Sequence, residues 1–198
     1  MPTRYHSLPT TRLPQGASYH RPRHTLPSQL NLDSPATQAM TDLSKVYAVT
    51  INPNASIDDA NQKMIANAIR LLLVVNPQDE IKGIVTASDV LGEKPVLHMR
   101  KTGVVRSEIR VQDIMTPQEH LQVIQMVDVN NARVGDIVEN LLRDGRQHAL
   151  VADIDEATMQ ETVRGIFSLA SIAKQVGCTF EPRQMATTFA ELGQVLTT

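Results

Sequence analysis

Ile81-Lys82-Gly83-Ile84-Val85-Thr86-Ala87-Ser88-Asp89-Val90 returns, 82 residues later, as Val163-Arg164-Gly165-Ile166-Phe167-Ser168-Leu169-Ala170-Ser171-Ile172. Each stretch reads as a strand carrying one glycine, then a hydroxyl residue and a short helix. Immediately upstream, Leu71-Leu72-Leu73-Val74-Val75 and Ala149-Leu150-Val151-Ala152 are short apolar runs of the kind that forms buried strands. Polar turns, Asn76-Pro77-Gln78-Asp79 and the longer Asp153-Ile154-Asp155-Glu156, separate the strands of each pair. Further out, Ala60, Met64, Ile65 and Ala68 recur at helical spacing after Ser56, which can cap that helix with Asp59 at its third position. In the second stretch Val134, Ile137, Val138, Leu141 and Leu142 share one helical face, and Gly145 can end that helix in a left-handed conformation. The offset from Ala55 to Ala132 is 77 residues and that from Gly83 to Gly165 is 82, so the second copy holds about five extra residues in its turn. Ala39-Met40-Thr41 and Ile114-Met115-Thr116 lead into the two copies. The duplicated order helix, strand, strand, short helix predicts a tandem α/β (α+β) module.

Composition bounds the function classes. The chain has 198 residues, 41% hydrophobic and 3% aromatic, without Trp, so Leu, Ile, Val, Ala and Met must build the core. A net charge of −2 creates no general attraction for nucleic acid or an anionic membrane, and no apolar run reaches the ~20 residues needed to span a bilayer. The single Cys178 allows no internal disulfide and no cysteine zinc site, which suits a reducing compartment; a cytoplasmic location is expected. Residues 1–32 form an extended arm with Pro2, Pro9, Pro14, Pro22 and Pro27, four arginines, His6, His20 and His24, and no acidic residue. No G-x-S-x-G, Walker loop or H-E-x-x-H is present, and an enzyme is not expected.

The paired Met-Thr lead-ins, the apolar strands, and GIVTASDV followed by GIFSLASI resemble the two halves of a cystathionine-β-synthase-type (CBS) pair, or Bateman module, of the stand-alone signal-transduction type. The resemblance runs from about Asp33 to Gly177. It implies β-α-β-β-α repeats with a small sheet packed on helices, related by a pseudo-two-fold axis. Its organisation would be repeat 1 over 33–97, a basic linker over 98–110, repeat 2 over 111–177 and a helical tail over 178–198. It further implies a regulatory module that binds an adenosine nucleotide (AMP, ADP or ATP; other adenosyl compounds such as NAD or S-adenosylmethionine occur in the family), needs no metal, pairs into a homodimer and signals to an effector protein in trans. The alternative is a scaffold protein with vestigial clefts and the basic arm as its working surface.

Thr86 and Asp89 are the leading ligand-binding candidates. The hydroxyl and the first helical turn suit a phosphate, and three residues on, the carboxylate can accept from both hydroxyls of a ribose. The same Thr-x-x-Asp is also a helix capping box, and the two roles are compatible. Gly83 permits close backbone approach. Arg70 stands where the family often places a phosphate-contacting base, and its fork suits that anion. For the adenine, the resemblance points to Ile84 from the first repeat and to Val111, Met115, Arg146 and Gln147 from the second; ordinary core is the competing role for Ile84 and Met115. Ser168 and Ser171 form a weaker second site, because a hydroxyl replaces the carboxylate. His148 reads as a polar residue at a strand end. The arm's histidines lack a carboxylate or Cys beside them for metal binding, and its tyrosines and arginines suit a solvated or partner-docking arm better than a nucleic-acid surface.

Overall fold

The computed structural model describes residues 30–180. The arm before Leu30 and most of the expected tail, including the helix anticipated over 186–195, lie outside the described residues.

Two four-stranded sheets repeat one plan. The first contains β2 (Thr50–Ile51), β3 (Leu71–Val75), β4 (Ile81–Thr86) and β5 (Thr116–Pro117); the second contains β6 (Val123–Gln125), β7 (His148–Ile154), β8 (Glu161–Ser168) and β1 (Thr41–Asp42). The orders β2-β3-β4-β5 and β6-β7-β8-β1 superimpose element on element, and in both the first pair is parallel and the other two antiparallel. This is the pseudo-two-fold α+β arrangement expected from the repeat. The α1 helix (Ile57–Ala66) connects β2 to β3, capped by the Ser56 hydroxyl, which accepts from Asp59 N–H at 3.0 Å. The α5 helix (Met126–Asn131) follows β6, and the counterpart of α1, α6 (Val134–Arg143), buries Val134, Ile137, Val138 and Leu141, with Gly145 following at φ +63°. The short helices α2 (Ala87–Leu91) and α7 (Leu169–Val176) leave β4 and β8.

Strand alternation divides each apolar run between two cores. Leu72 and Val74 face α1 and join Ile57, Ala60 and Met64, while Leu71 and Leu73 face the other sheet and meet Leu150. On β7, Ala149 and Val151 join the α6 core with Phe167 and Ile172. The two sheets thus pack face to face through a third, smaller cluster.

In space, the contiguous boundaries expected from sequence are rearranged, because the lead-in segments are exchanged. Thr41 and Asp42 pair with Ile166 and Gly165 of the second sheet, and Ala36 and Ala39 are buried in the second repeat's core. Conversely, Ile109, Val111 and Ile114 are buried in the first repeat's core, and Thr116 pairs with Ile84. The Met of each lead-in covers the glycine of the opposite repeat: Met40 lies on Gly165, Met115 on Gly83. The expected linker 98–110 is likewise structured. It contains most of α3 (Lys94–Thr102), which starts with Pro95 in its first turn and ends at Gly103 with φ +79°, and Ile109 is a core residue leading to α4 (Val111–Ile114). The last residues of the expected arm also belong to the fold: Leu30 is buried and the Leu32 carbonyl accepts from Gly135 N–H at 2.8 Å.

Candidate ligand-binding cleft

Where the two sheets part at the ends of β4 and β8, the chain encloses a cleft of about 850 Å³. Both halves of the repeat contribute to it. From the first come Arg70, Ile84, Thr86 and Asp89; from the second come Arg146, Gln147 and Ser168. Seven of the residues singled out from sequence therefore share one cavity.

The first half is the more ordered chemically. Thr86 ends β4 in an extended conformation and caps α2: its Oγ1 accepts from Asp89 N–H at 3.3 Å, while Asp89 Oδ2 accepts from Thr86 N–H at 2.8 Å and from its hydroxyl at 2.7 Å. The capping box is thus present in full. Asp89 Oδ1 also lies 2.6 Å from Lys94 Nζ, and the side chain is 12% exposed. Arg70 precedes β3, and its carbonyl accepts from Ala87 N–H at 2.9 Å, which places the guanidinium-bearing residue beside the start of α2.

The second half has the same backbone and different side chains. Gln147 occupies the place of Arg70, its carbonyl accepting from Leu169 N–H at 2.9 Å. Ser168 replaces Thr86 but makes no side-chain cap bond, which leaves its hydroxyl unused by the helix. Arg146 follows the left-handed Gly145 and donates from Nη2 to Gln122 Oε1.

Three candidates lie elsewhere. Val111 is fully buried on the helical side of the first sheet, where α4 packs. Met115 packs on the same core and against Gly83, and it is the next residue, Thr116, that lines the cleft. Ser171 sits in the first turn of α7, its Oγ accepting from Gln175 Nε2 at 3.2 Å, with Ala170 lining the cleft in its place. The close approach at Gly83 is also made by protein: the Thr116 carbonyl and the Pro117 Cα fill the space a side chain would need.

His148 is the residue that sequence reading undervalued. It is the counterpart of Leu71, since Leu71 pairs with Thr86 and His148 with Ser168, so it faces the opposite sheet. Burial, reinforced by repulsion from Arg70 and partly offset by Asp89, brings its pKa down to about 4. The imidazole is therefore neutral at pH 7. The alternation His148, Leu150 against Ala149, Val151 was the signal available for it. At neutral pH the charged groups of the wall are Arg70, Arg146 and Asp89, a net positive set around apolar Ile84, Leu121 and Leu150. Among the described residues no group of three or more His, Cys, Asp or Glu side chains is placed to hold a metal, and the arm histidines lie outside them.

A duplicated α/β unit whose sheets meet around a ligand-sized, cationic cleft defines a tandem-repeat binding module. Residues 39–95 match the family model of the CBS domain, and the second sheet repeats the plan of the first. No curated protein matches the sequence. Among solved structures, an uncharacterized conserved protein from Pyrococcus horikoshii is 20% identical with a TM-score of 0.53, the match covering 77% of this chain and 98% of that one. A protein with CBS domains from Burkholderia ambifaria is 25% identical with a TM-score of 0.49, over 65% and 82% of the two chains. The CBS-pair protein CBSX2, solved in complex with AMP, is 20% identical with a TM-score of 0.49, over 71% and 94%.

Proposed function

We propose that this chain is a regulatory module whose inter-repeat cleft binds an adenosine nucleotide and passes its occupancy to a partner protein in trans, with no catalysis of its own. The observation that carries this reading is the composition of the cleft wall: one carboxylate, Asp89, two guanidinium groups, Arg70 and Arg146, and an apolar floor of Ile84, Leu121 and Leu150. A ribose diol suits the carboxylate, a phosphate the guanidinium forks and a purine the floor. The first half-site is the stronger, since the second offers Ser168 without a carboxylate. No described helix is long and apolar enough to cross a membrane. The family resemblance implies a cytoplasmic homodimer, and the proposal includes both.

A melting screen against AMP, ADP, ATP, adenosine, S-adenosylmethionine and GTP tests the reading, because a ligand at 100 times its Kd adds about 2.7 kcal/mol of stability. Asp89→Ala should weaken the best ligand by one to two decades, as expected for losing charge-assisted hydrogen bonds of about 1.5–3 kcal/mol. Ser171→Ala should leave affinity unchanged. A flat screen would instead support the scaffold alternative.

A further inference from the structure

Asp89 already serves three donors. Oδ2 accepts from Thr86 N–H and Oγ1–H, and Oδ1 is paired with Lys94 Nζ. A carboxylate offers about four acceptor positions, so one remains. A vicinal diol brings two O–H donors and needs two. Either the Thr86 pair or Lys94 must therefore give way. The Thr86 groups are fixed by the cap, where Oγ1 also receives Asp89 N–H. Lys94 is 44% exposed and ends a flexible four-carbon stem, so water can take over its ammonium.

The ammonium has a second attachment, donating to the Ile114 carbonyl at 3.0 Å. Ile114 closes α4 and stands two residues before Thr116, which pairs with Ile84 and lines the cleft. One side chain from the first turn of α3 thus ties the candidate ribose acceptor to the exchanged lead-in of the second repeat.

We infer that Lys94 is a binding-site residue that competes with the ligand's vicinal diol for Asp89, and that its displacement frees the Val111–Thr116 segment from α3. The inference rests on the cleft reading above. It supplies that reading with the differential contact a ligand needs to shift a conformational equilibrium.

Neutral nucleosides isolate the diol from phosphate attraction, so adenosine and dideoxyadenosine are the probes. In Lys94→Met, adenosine should bind about two- to fivefold tighter, the effect of removing one largely solvated ion pair, and dideoxyadenosine should bind as to wild type. Lys94→Arg, which retains the charge, should keep wild-type affinity and serves as the folded reference. Hydrogen exchange across Val111–Thr116 should accelerate in wild type on adding adenosine, and should already be fast in Lys94→Met without it. Unchanged or weaker adenosine binding by Lys94→Met overturns the inference, as does exchange in wild type that ignores adenosine. If AMP binds wild type while either of these results is found, Lys94 alone has been misassigned. If no adenosyl compound binds wild type or either variant, the cleft reading fails and the inference with it.

Discussion

Gly83→Ala and Gly165→Ala are the same substitution at equivalent points of the two repeats, and the structure assigns them different costs. Neither glycine has a positive φ, so space and not backbone conformation decides. At Gly83 an added methyl would overlap the Thr116 carbonyl oxygen, with the Pro117 Cα at 3.1 Å and Met115 Sδ at 3.2 Å. The first obstacle is backbone, held in register by the Gly83–Pro117 and Ile84–Thr116 pairs. Relief requires β5 to move away from β4. Overpacking strain of about 1–3 kcal/mol is then joined by the loss of one or two ladder hydrogen bonds at about 1 kcal/mol each. Against this, Ala restricts the unfolded chain and returns about 0.4–1 kcal/mol. The net destabilisation expected at Gly83 is about 1–4.5 kcal/mol. At Gly165 the three atoms nearest the methyl all belong to the Met40 side chain, among them Cγ at 2.7 Å and Cε at 3.1 Å. Met is unbranched and swings aside, so the net cost there should be below about 1 kcal/mol. Urea titration with a common slope reads both values. In a Met40→Ala background Gly165→Ala should become neutral or stabilising, a coupling that a double-mutant cycle isolates. A Gly83→Ala protein within about 0.5 kcal/mol of wild type, or a costlier Gly165→Ala, would refute the exchanged-segment geometry.

Other outcomes follow from specific contacts. Arg164 grips Asp42 through Nε at 2.9 Å and Nη2 at 3.2 Å and holds that carboxyl well below the usual carboxylate range. This pair contributes stability above the unfolded carboxyl pKa of about 3.9 and loses it as pH falls below that value; Asp42→Asn should cost about 1–3 kcal/mol at pH 7 and flatten the acid limb of a melting profile. His148 is depressed from 6.5 to about 4, so its neutral form stabilises the fold above pH 6.5 and the contribution drains away between those two values. His148→Gln should remove a loss on the order of 2–3 kcal/mol from that window. A chain starting at Leu30 should melt higher than one starting at Ser34, since Leu30 is buried and full burial of a Leu is worth about 1.5–3 kcal/mol. Removing the cleft cations by Arg70→Ala or Arg146→Ala should weaken AMP by about tenfold or more in calorimetry while leaving adenosine unchanged.

Local chemistry was legible in the sequence wherever neighbours along the chain carry it. Ser56 before Asp59, the stripe through Val134 and Leu141, Gly145 after α6 and the capping box at Thr86 each need only a few adjacent residues, and each stands as read. The apolar runs identified β3 and β7, and the Gly-containing runs β4 and β8. What could not be read is which sheet a lead-in joins. Met40-Thr41 and Met115-Thr116 look like the openings of the copies they precede, and pairing with strands 125 and 32 residues away has no local signature. Val111 and Met115, expected at the cleft from the family resemblance, pack into the first repeat's core, and the close approach that Gly83 permits is made by β5. The basic content of residues 98–110 concealed a helix whose buried side is only Pro95 and Met99 with support from Ile109. A polar residue at a strand end usually faces water, whereas His148 faces the opposite sheet and lines the cleft.

The exchanged lead-ins also bear on how such a chain can be divided. A single repeat cut out at its sequence boundaries would leave the outer edge of β4 or β8 unpaired, with a hole where Val111 and Ile114 or Ala36 and Ala39 now sit. The bare edge would seek another strand. Two identical halves could satisfy each other only by trading the same segment reciprocally, which is the geometry of a swapped dimer. The tandem chain is in that sense a dimer closed by a covalent tether. Its halves are free to diverge in what lines their shared cleft, as Arg70 and Gln147 have, while neither can drift in the strand it lends to the other.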